Sequence, residues 1–511
     1  MTALTRACGQ AHNSFSVWIC LTSCWRQAEQ VADYLLDDPT TARPNPLVML
    51  EKSPNGHSEA EEYIKSHPET LQLDVIYADL CGLVRGKRYP IRYLDKIMSG
   101  GLATPGSVFL LDVMGECHDP CGRGFSDGDP DNIVRPVSGT LKPVPWAKEP
   151  TAQVLATFEE TDGSPYYFEP RNVLARVLDR LYELKLHPVV AFELEFYLID
   201  RARSADGAPQ PPMSPITGER MAGTQVYGMA ELDSYSSILS DISEFAQIQG
   251  IETGAITKEY APGQFEINLQ HLDDPLRAAD ECIFFKRIVK KVAQNHGMEA
   301  TFMAKPYPDT SGSGLHLHCS LLNEAGENVF AEDNYDPKQK VTSDTLKHGI
   351  AGILDLMPAS MAILAPNVNS FRRFAPNIYV PVSRSWAHEN RSVALRIPSG
   401  DANARRIEHR VAGADANPYL ALATLVAGLH HGLTKQLEPP KMAEGNAGSS
   451  YDEDLPMRPR PALDSMEESK VLESYFGGEY IRTYIACKRA ELEKFEAIMS
   501  PAEFSWFLQS E

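Results

Sequence analysis

The sequence predicts an α+β protein with a small sheet-bearing segment followed by a larger one, and three observations predict it. Between "LDVIYADLCGLVRGKRYPI" (Leu73 to Ile91) and "TAQVLATFEET" (Thr151 to Thr161), short runs of β-formers are broken by Gly and Pro. "PRNVLARVLDRLYELKL", Pro170 to Leu186, has the apolar spacing of an amphipathic helix with proline at its start. "AFELEFYLID", Ala191 to Asp200, then alternates as a half-buried strand does, and strand-like and helix-like stretches follow one another to the C-terminus. The organisation read from these is an extension over 1–68, a small domain over 69–163 and a large domain over 164–511.

At 511 residues the chain is long enough for two to four domains, or for one large domain and a smaller one. Its 43% hydrophobic and 23% charged residues are those of a globular protein. With 69 acids against 48 bases the net charge is −21, which argues against a sequence-independent nucleic-acid binder and is compatible with a cationic partner. Nine cysteines, an odd number spread thinly, suit reduced thiols in the cytoplasm better than a disulfide framework. Cys117, His118 and Cys121 lack the spacing and the second pair of a zinc knuckle and read as ordinary thiols beside a histidine. No apolar run reaches membrane-spanning length, and "FSVWICLTSCW" (Phe15 to Trp25), without a clean cleavage site, reads as an irregular tail.

Taken in chain order, residues 1–68 carry early Cys and Trp and then the polar "EKSPNGHSEAEEYIKSHPE", with one short helix expected after Asn55. "GLVRGK", Gly82 to Lys87, looks like a phosphate loop, but its glycines are one residue too close and Arg88 stands where Ser or Thr is needed. In "AFELEFYLID", Phe192, Leu194 and Phe196 share one face, while Glu193, Glu195 and Tyr197 share the other. "EYAPGQFEINL" puts Gln264, Glu266 and Asn268 on one face, with Glu259 ahead of them across a Pro-Gly turn. "SGSGLHLHCSL" aligns His316 with His318 after two glycines that permit close backbone approach. "ARRIEHRVAG" aligns Arg406, Glu408 and Arg410. "LEPPKMAEGNAGSSYDEDLPMRPRP" is a long loop, and "GGEYIRTYIACKRAELEKFEAIMSPAEFSWFLQS" is helical.

Singly, each polar strand face is what a solvated sheet surface also looks like. Together they collect Glu193, Glu195, Glu259, Glu266, Glu408 and His316, with Arg373, Arg391, Arg396 and Arg410. Oxygen donors with one imidazole suit Mg²⁺ or Mn²⁺. Arginines beside such carboxylates suit phosphoryl transfer, whose transition state spreads negative charge over oxygens within reach of metals and guanidiniums.

"FELEFYL", "KPYPDTSGSGLHLH", "NSFRRFAP", "NRSVALRIP" and "ARRIEHRVAGADANPYLALA" resemble, in order over residues 70 to 511, the motifs of the glutamine synthetase superfamily and within it the γ-glutamylputrescine (γ-glutamylpolyamine) branch. The resemblance implies an N-terminal β-grasp domain, a catalytic domain of curved antiparallel strands backed by helices, and a homo-oligomer of stacked rings, dodecamer-like, with sites at subunit junctions. It implies two Mg²⁺ or Mn²⁺ ions, one held by Glu195, Glu259 and Glu266, the other by Glu193, His316 and Glu408. By the same carry-over Arg373 holds the substrate α-carboxylate and Gly312 lines the glutamate pocket. Arg391, Arg396 and Arg410 surround the transferred phosphoryl group, and His318 and Ser320 lie toward the nucleotide. The partners implied are glutamate, ATP and an amine, with no nucleic acid and no membrane. The reaction is ATP-dependent formation of γ-glutamyl phosphate, followed by attack of the amine.

Three positions depart from the ammonia-using members. Their "DGSS" is absent, and "ATPGSVFLLD" occupies that region. Their flap glutamate is Tyr379, and their asparagine before the Gly-Ser-Gly is Ser311. These departures point to an amine other than ammonia, a polyamine such as putrescine first, with ethanolamine, a small alkylamine or ammonia itself as alternatives. A catalytically silent homologue is disfavoured because all six ligand positions and all four arginines are present. Tyr451 loosely resembles the tyrosine that some bacterial glutamine synthetases adenylylate; an exposed loop tyrosine is the plainer reading. Residues 1–48 show neither periodicity nor site chemistry, and Met49 offers an alternative start. Their deletion is expected to leave assembly and activity unchanged, by gel filtration and by turnover, and loss of either would refute this.

Overall fold

Strand β1 (Gln72–Ala78) turns back through Asp79 to Leu83 into β2 (Val84–Pro90) as an antiparallel hairpin. Asp79 makes the turn: Oδ1 accepts from the backbone N–H groups of Cys81 and Leu83, both at 2.9 Å, and Gly82 takes the left-handed φ of +74°. "GLVRGK" is therefore turn and strand, with no helix to receive a phosphate. β3 (Leu102–Pro105), β4 (Asp131–Pro136), β5 (Lys142–Pro143) and β6 (Thr151–Glu159) complete a sheet of order β2-β1-β6-β4-β3, with β5 beside β6. Its first and last strands, β1 and β6, run parallel at the centre while the other pairs are antiparallel, which is the β-grasp arrangement. The computed structural model describes residues 56–331 and 342–510. The readings made for residues 1–48, for Met49 and for Phe15 to Trp25 lie outside them.

The helix expected after Asn55 spans Gly56–Ser66, buries Ala60 and Tyr63, and receives the backbone N–H of Gly139 on Glu59. It belongs with the small sheet.

The second sheet is built from β7 (His187–Ile199), β8 (Thr253–Lys258), β9 (Gln264–Leu269), β10 (Glu299–Thr301), β11 (Leu315–Leu322), β12 (Trp386–His388), β13 (Leu395–Ile397) and β14 (Ile407–His409). Its order is β12-β13-β14-β11-β7-β9-β8, with β10 on the end of β7, and every pair but β12–β13 is antiparallel. Phe192, Leu194, Phe196, Phe265, Ile267, Leu315, Leu317 and Ile407 are buried on its core face. A one-residue slip of β7 would drive Glu193 and Glu195 into that apolar layer, so hydrophobic burial sets the register. Among the described residues no helix is long and apolar enough to cross a membrane.

Two helices behind the sheet, Asp344–Leu364 and Pro418–Lys435, meet backbone to backbone. A Cβ on Gly352 would collide with the Gly428 carbonyl and the Gly432 nitrogen, and one on Gly432 with the His348 carbonyl. Since both sides of that contact are main chain, nothing can swing aside. Gly352→Val is expected to cost about 1–3 kcal/mol, the usual penalty of overpacking a filled core. Denaturant unfolding should show it as a lowered midpoint, and an unchanged midpoint would contradict this contact.

Candidate active site

The strands that carry the polar faces read from the sequence are neighbours, in the order β14-β11-β7-β9. Their register stacks the polar residues in rows. Arg396 of β13 faces Glu408 of β14, which faces His318 of β11. His316 faces Glu193, which faces Asn268, and Glu195 faces Glu266. Ala191, opposite His318, leaves the imidazole room to reach Glu193.

Glu193 is where the rows meet. Its carboxylate contacts His316 Nδ1 at 2.7 Å and His318 Nε2 at 3.2 Å, and accepts from Asn268 Nδ2 at 2.8 Å. His318 Nδ1 lies 3.2 Å from Arg406 Nε, which donates to it. Burial works to raise Glu193, yet the hydrogen bonds and charges of His316 and His318 hold it well below the usual carboxylate range. Glu408, buried between Arg410 and Arg396 (Nη1 to Oε2, 2.7 Å), is brought down to about 2; there the charges of Arg410, the two histidines and Arg396 overcome burial. Opposite partners give opposite results: burial, then the charges of Glu193, Glu195 and Glu259, push Glu266 up to about 11. Burial and Glu195 lift Glu259 to about 7. A carboxyl cluster that repels its own ionisation in this way is a site that a divalent cation would relieve.

On this face, donor atoms within 4.8 Å of one another form two triads, Glu193 with Glu266 and His316, and Glu193 with His318 and Glu408. Hard oxygens with imidazole fit Mg²⁺ or Mn²⁺. Both triads turn on Glu193, whereas the resemblance divided the ligands between two separate sets and sent His318 toward the nucleotide. Glu195 is held by Gln264 Nε2 (3.2 Å) and by the Gly314 N–H (2.9 Å), and Glu259, half-buried, lies just past the end of β8. Ser320 is buried on the same face, its hydroxyl donating to the Arg405 carbonyl at 3.1 Å.

Arg373 runs beneath the Gly-Ser-Gly turn, where a Cβ on Gly312 would collide with its side chain. Its Nη1 donates to the Val411 carbonyl at 2.9 Å, while buried Nε atoms of Arg373, Arg396 and Arg410 have no partner. Unpaired buried guanidinium donors beside carboxylates fit an anionic ligand. Arg391 is exposed on the turn between β12 and β13, with no ion-pair partner among the described residues, and Tyr379 is 77% exposed on a surface loop. Tyr451 is half exposed, its hydroxyl donating to the Phe374 carbonyl.

The supports of Arg373 are a part of the site that reading the sequence missed. Asn367 Nδ2 and Ser370 Oγ both donate to Asp415 Oδ2, at 2.9 and 2.7 Å, and Asn369 brackets the backbone of Lys305. Together they fix the short helix Val368–Phe371 from which Arg373 follows. Asn369 and Ser370 lie within "NSFRRFAP" and Asp415 within "GADANP", but only folding brings those two stretches together.

Comparison with known proteins agrees with this architecture. The family described as glutamine synthetase, catalytic domain, matches residues 168–507. The chain is 45% identical to the gamma-glutamylputrescine synthetase PuuA of Escherichia coli (strain K12), over 88% of this chain and 94% of that one. It is 32% identical to a glutamate–isopropylamine ligase of a Pseudomonas species, over 90% and 99% of the two chains. Among solved structures, one described as a GmaS/ADP complex superposes with a TM-score of 0.75 at 25% identity, covering 88% of this chain and 99% of that one.

Glu193→Ala and Glu195→Ala each remove a carboxylate from the polar face and leave the apolar face of β7 untouched. Each is expected to lower kcat by more than about a hundredfold, beyond the loss seen when only an outer hydrogen-bond partner of a metal ligand is removed. Gel filtration and circular dichroism should be unchanged. Full turnover of both variants at saturating Mg²⁺ or Mn²⁺ would refute the assignment.

Proposed function

Because the chain belongs to the glutamine synthetase family, with the catalytic domain matched over 168–507, we propose that it joins the γ-carboxylate of glutamate to an amine at the expense of ATP, the amine being a polyamine such as putrescine. The observation that carries the ATP–glutamate half is the pair of donor triads sharing Glu193, flanked by Arg396 and Arg410. Two divalent cations bound there, Mg²⁺ or Mn²⁺, supply positive charge to the phosphate oxygens. The residues proposed to hold them are Glu193, Glu195, Glu259, Glu266, His316 and Glu408, with His318 close enough to Glu193 and Glu408 to join the set.

Arg373, unpaired at Nε, orients glutamate by its α-carboxylate, with Gly312 leaving its methylene stem room to lie against the turn. Arg396 and Arg410, with Arg391 from the turn between β12 and β13, stabilise the charge that develops on the transferred phosphoryl group. Ser320 and His318 border the nucleotide. The product of this step is γ-glutamyl phosphate, an acyl phosphate open to attack by a neutral amine. An alkylammonium resembles Lys, with a pKa of about 10.4, and must lose a proton at the site first. The full site is proposed to form in a ring-stacked homo-oligomer with contributions from neighbouring subunits.

The polyamine is favoured by the 45% identity to a γ-glutamylputrescine synthetase and by Tyr379 where ammonia-using members have glutamate. A tyrosine, neutral at pH 7, offers an apolar ring along a methylene chain and a hydroxyl to an amine. Glutamate-dependent ATP hydrolysis should be measured with putrescine, longer polyamines, ethanolamine, isopropylamine and ammonia. Putrescine is expected to give the highest kcat/KM. Tyr379→Glu should lower the putrescine-to-ammonia ratio about tenfold, within the range that lost contact to one methylene supplies. A ratio that does not move would show that this position does not select the amine.

A further inference from the structure

On the side of the β1–β2 hairpin that faces the helix Pro275–Asn295 lies a cleft of about 610 Å³. The hairpin lines it with Arg85, Lys87 and Arg88, the helix with Lys286, Arg287, Lys290 and Lys291, and the sole acidic residue in the lining is Asp74. In a chain of net charge −21 this gathering of positive charge is not a by-product of composition.

Little of it is neutralised. Asp74 serves two guanidiniums at once, Arg88 (2.6 and 3.0 Å) and Arg287 (2.7 Å), and Arg85 is paired with Asp79 behind the turn at 2.8 Å. No carboxylate meets the four lysines among the described residues. Lys87 Nζ reaches Thr104 Oγ1 (3.4 Å), Lys291 Nζ Gln294 Oε1 (3.2 Å) and Lys286 Nζ the carbonyls of Ala414 (2.7 Å) and Ala416 (3.1 Å), while Lys286 and Lys290 both lie over the Phe302 ring. Burial and the neighbouring Lys286 hold Lys290 below its ordinary value. Two guanidinium nitrogens, Arg85 Nη2 and Arg287 Nη1, are buried without a partner. Folded chains seldom leave such donors unsatisfied unless something else supplies the acceptor.

We propose that this cleft binds a small anion carrying two or three phosphate groups. Guanidiniums and ammonium groups together recognise phosphate oxygens, and the volume is that of a small-ligand site. A single phosphate or carboxylate would leave most of these cations unmatched. The failed phosphate-loop reading of "GLVRGK" is thereby replaced: its Arg85 and Lys87 contribute as side chains on a strand edge, and no backbone cradle is involved. The site shares no residue with the candidate active site. Through Lys286 it abuts residues 414–416, which hold Asp415 in place behind Arg373.

Inorganic tripolyphosphate titrated calorimetrically into the full-length protein tests this. The wild type is expected to show a binding event that weakens at least tenfold in the Lys87→Glu/Lys290→Glu protein and also in the milder Lys87→Ala/Lys290→Ala protein. The event should weaken steeply with added salt and persist in Arg396→Ala. All three variants should match the wild type by circular dichroism. Isotherms unchanged by either double substitution, or binding that disappears in Arg396→Ala and survives in the double variants, would overturn the proposal.

Discussion

Glu193 is the constraint on which the site depends. One carboxylate at the centre of an eight-stranded sheet touches two imidazoles and an amide, and it belongs to both donor triads. That is achievable only because β7 has a hydrogen-bonded neighbour on each side, so that cross-strand pairs bring His316 and Asn268 to the same residue from opposite directions. The same geometry crowds Glu266 and Glu259 against Glu195 and sends their proton affinities upward while Glu408 goes down. Carboxyls of one kind are thus split by their partners, arginine and histidine on one flank, other acids on the other. Carboxylates that could hold a cation and guanidiniums that could meet an anion lie side by side on a single face.

Around that face, the missing side chains of glycine do as much as the side chains present. Arg373 can lie under the Gly-Ser-Gly turn because Gly312 has no Cβ, and the helices behind the sheet interlock because Gly352, Gly428 and Gly432 have none. The small sheet is fastened to this body by polar clamps. Asn417 caps the helix Pro418–Lys435 with its oxygen and donates from its nitrogen to the carbonyls of Asp79 and Leu80, in the β1–β2 turn. Arg287 reaches Asp74 of β1 at 2.7 Å, and within the large body Lys286 crosses to the carbonyls on either side of Asp415. Segments far apart in sequence, the β1–β2 turn, the helix Pro275–Asn295 and the loop 413–417, are therefore joined by hydrogen bonds to main chain, which do not tolerate exchange of partners.

The division of charge follows the same layout. Acids gather on the polar face of the large sheet, beside arginine, histidine, amide groups and one another, and bases gather in the cleft between the hairpin and the helix Pro275–Asn295. Arg391 and Tyr379, by contrast, stand on exposed loops. Loops suit groups that must move, and strands and buried turns suit groups that must be held in place.

The alternation of "AFELEFYLID" and of "GLHLHCSL" was enough to say which side chains share a face, since a strand has a period of two and burial forbids the opposite choice. It was also enough to separate a small β-rich segment from a larger one, and the motif resemblance supplied the family and the expectation of curved antiparallel strands. What the sequence by itself determined, then, was the parity of each strand and the chemical kinds of residue available. Neighbourhood was decided by tertiary structure alone. Strand pairing made Glu193 common to both triads, placed His318 beside it, and left Glu195 to Gln264 and the Gly314 N–H. It also brought Asp415 under Asn367 and Ser370, and set four cations of one helix across from three of a hairpin. The physical reason is that a strand's face is a property of adjacent residues, whereas a ligand set is a property of distances between segments scores to hundreds of residues apart, and those distances exist only once the apolar face of the sheet has chosen its register.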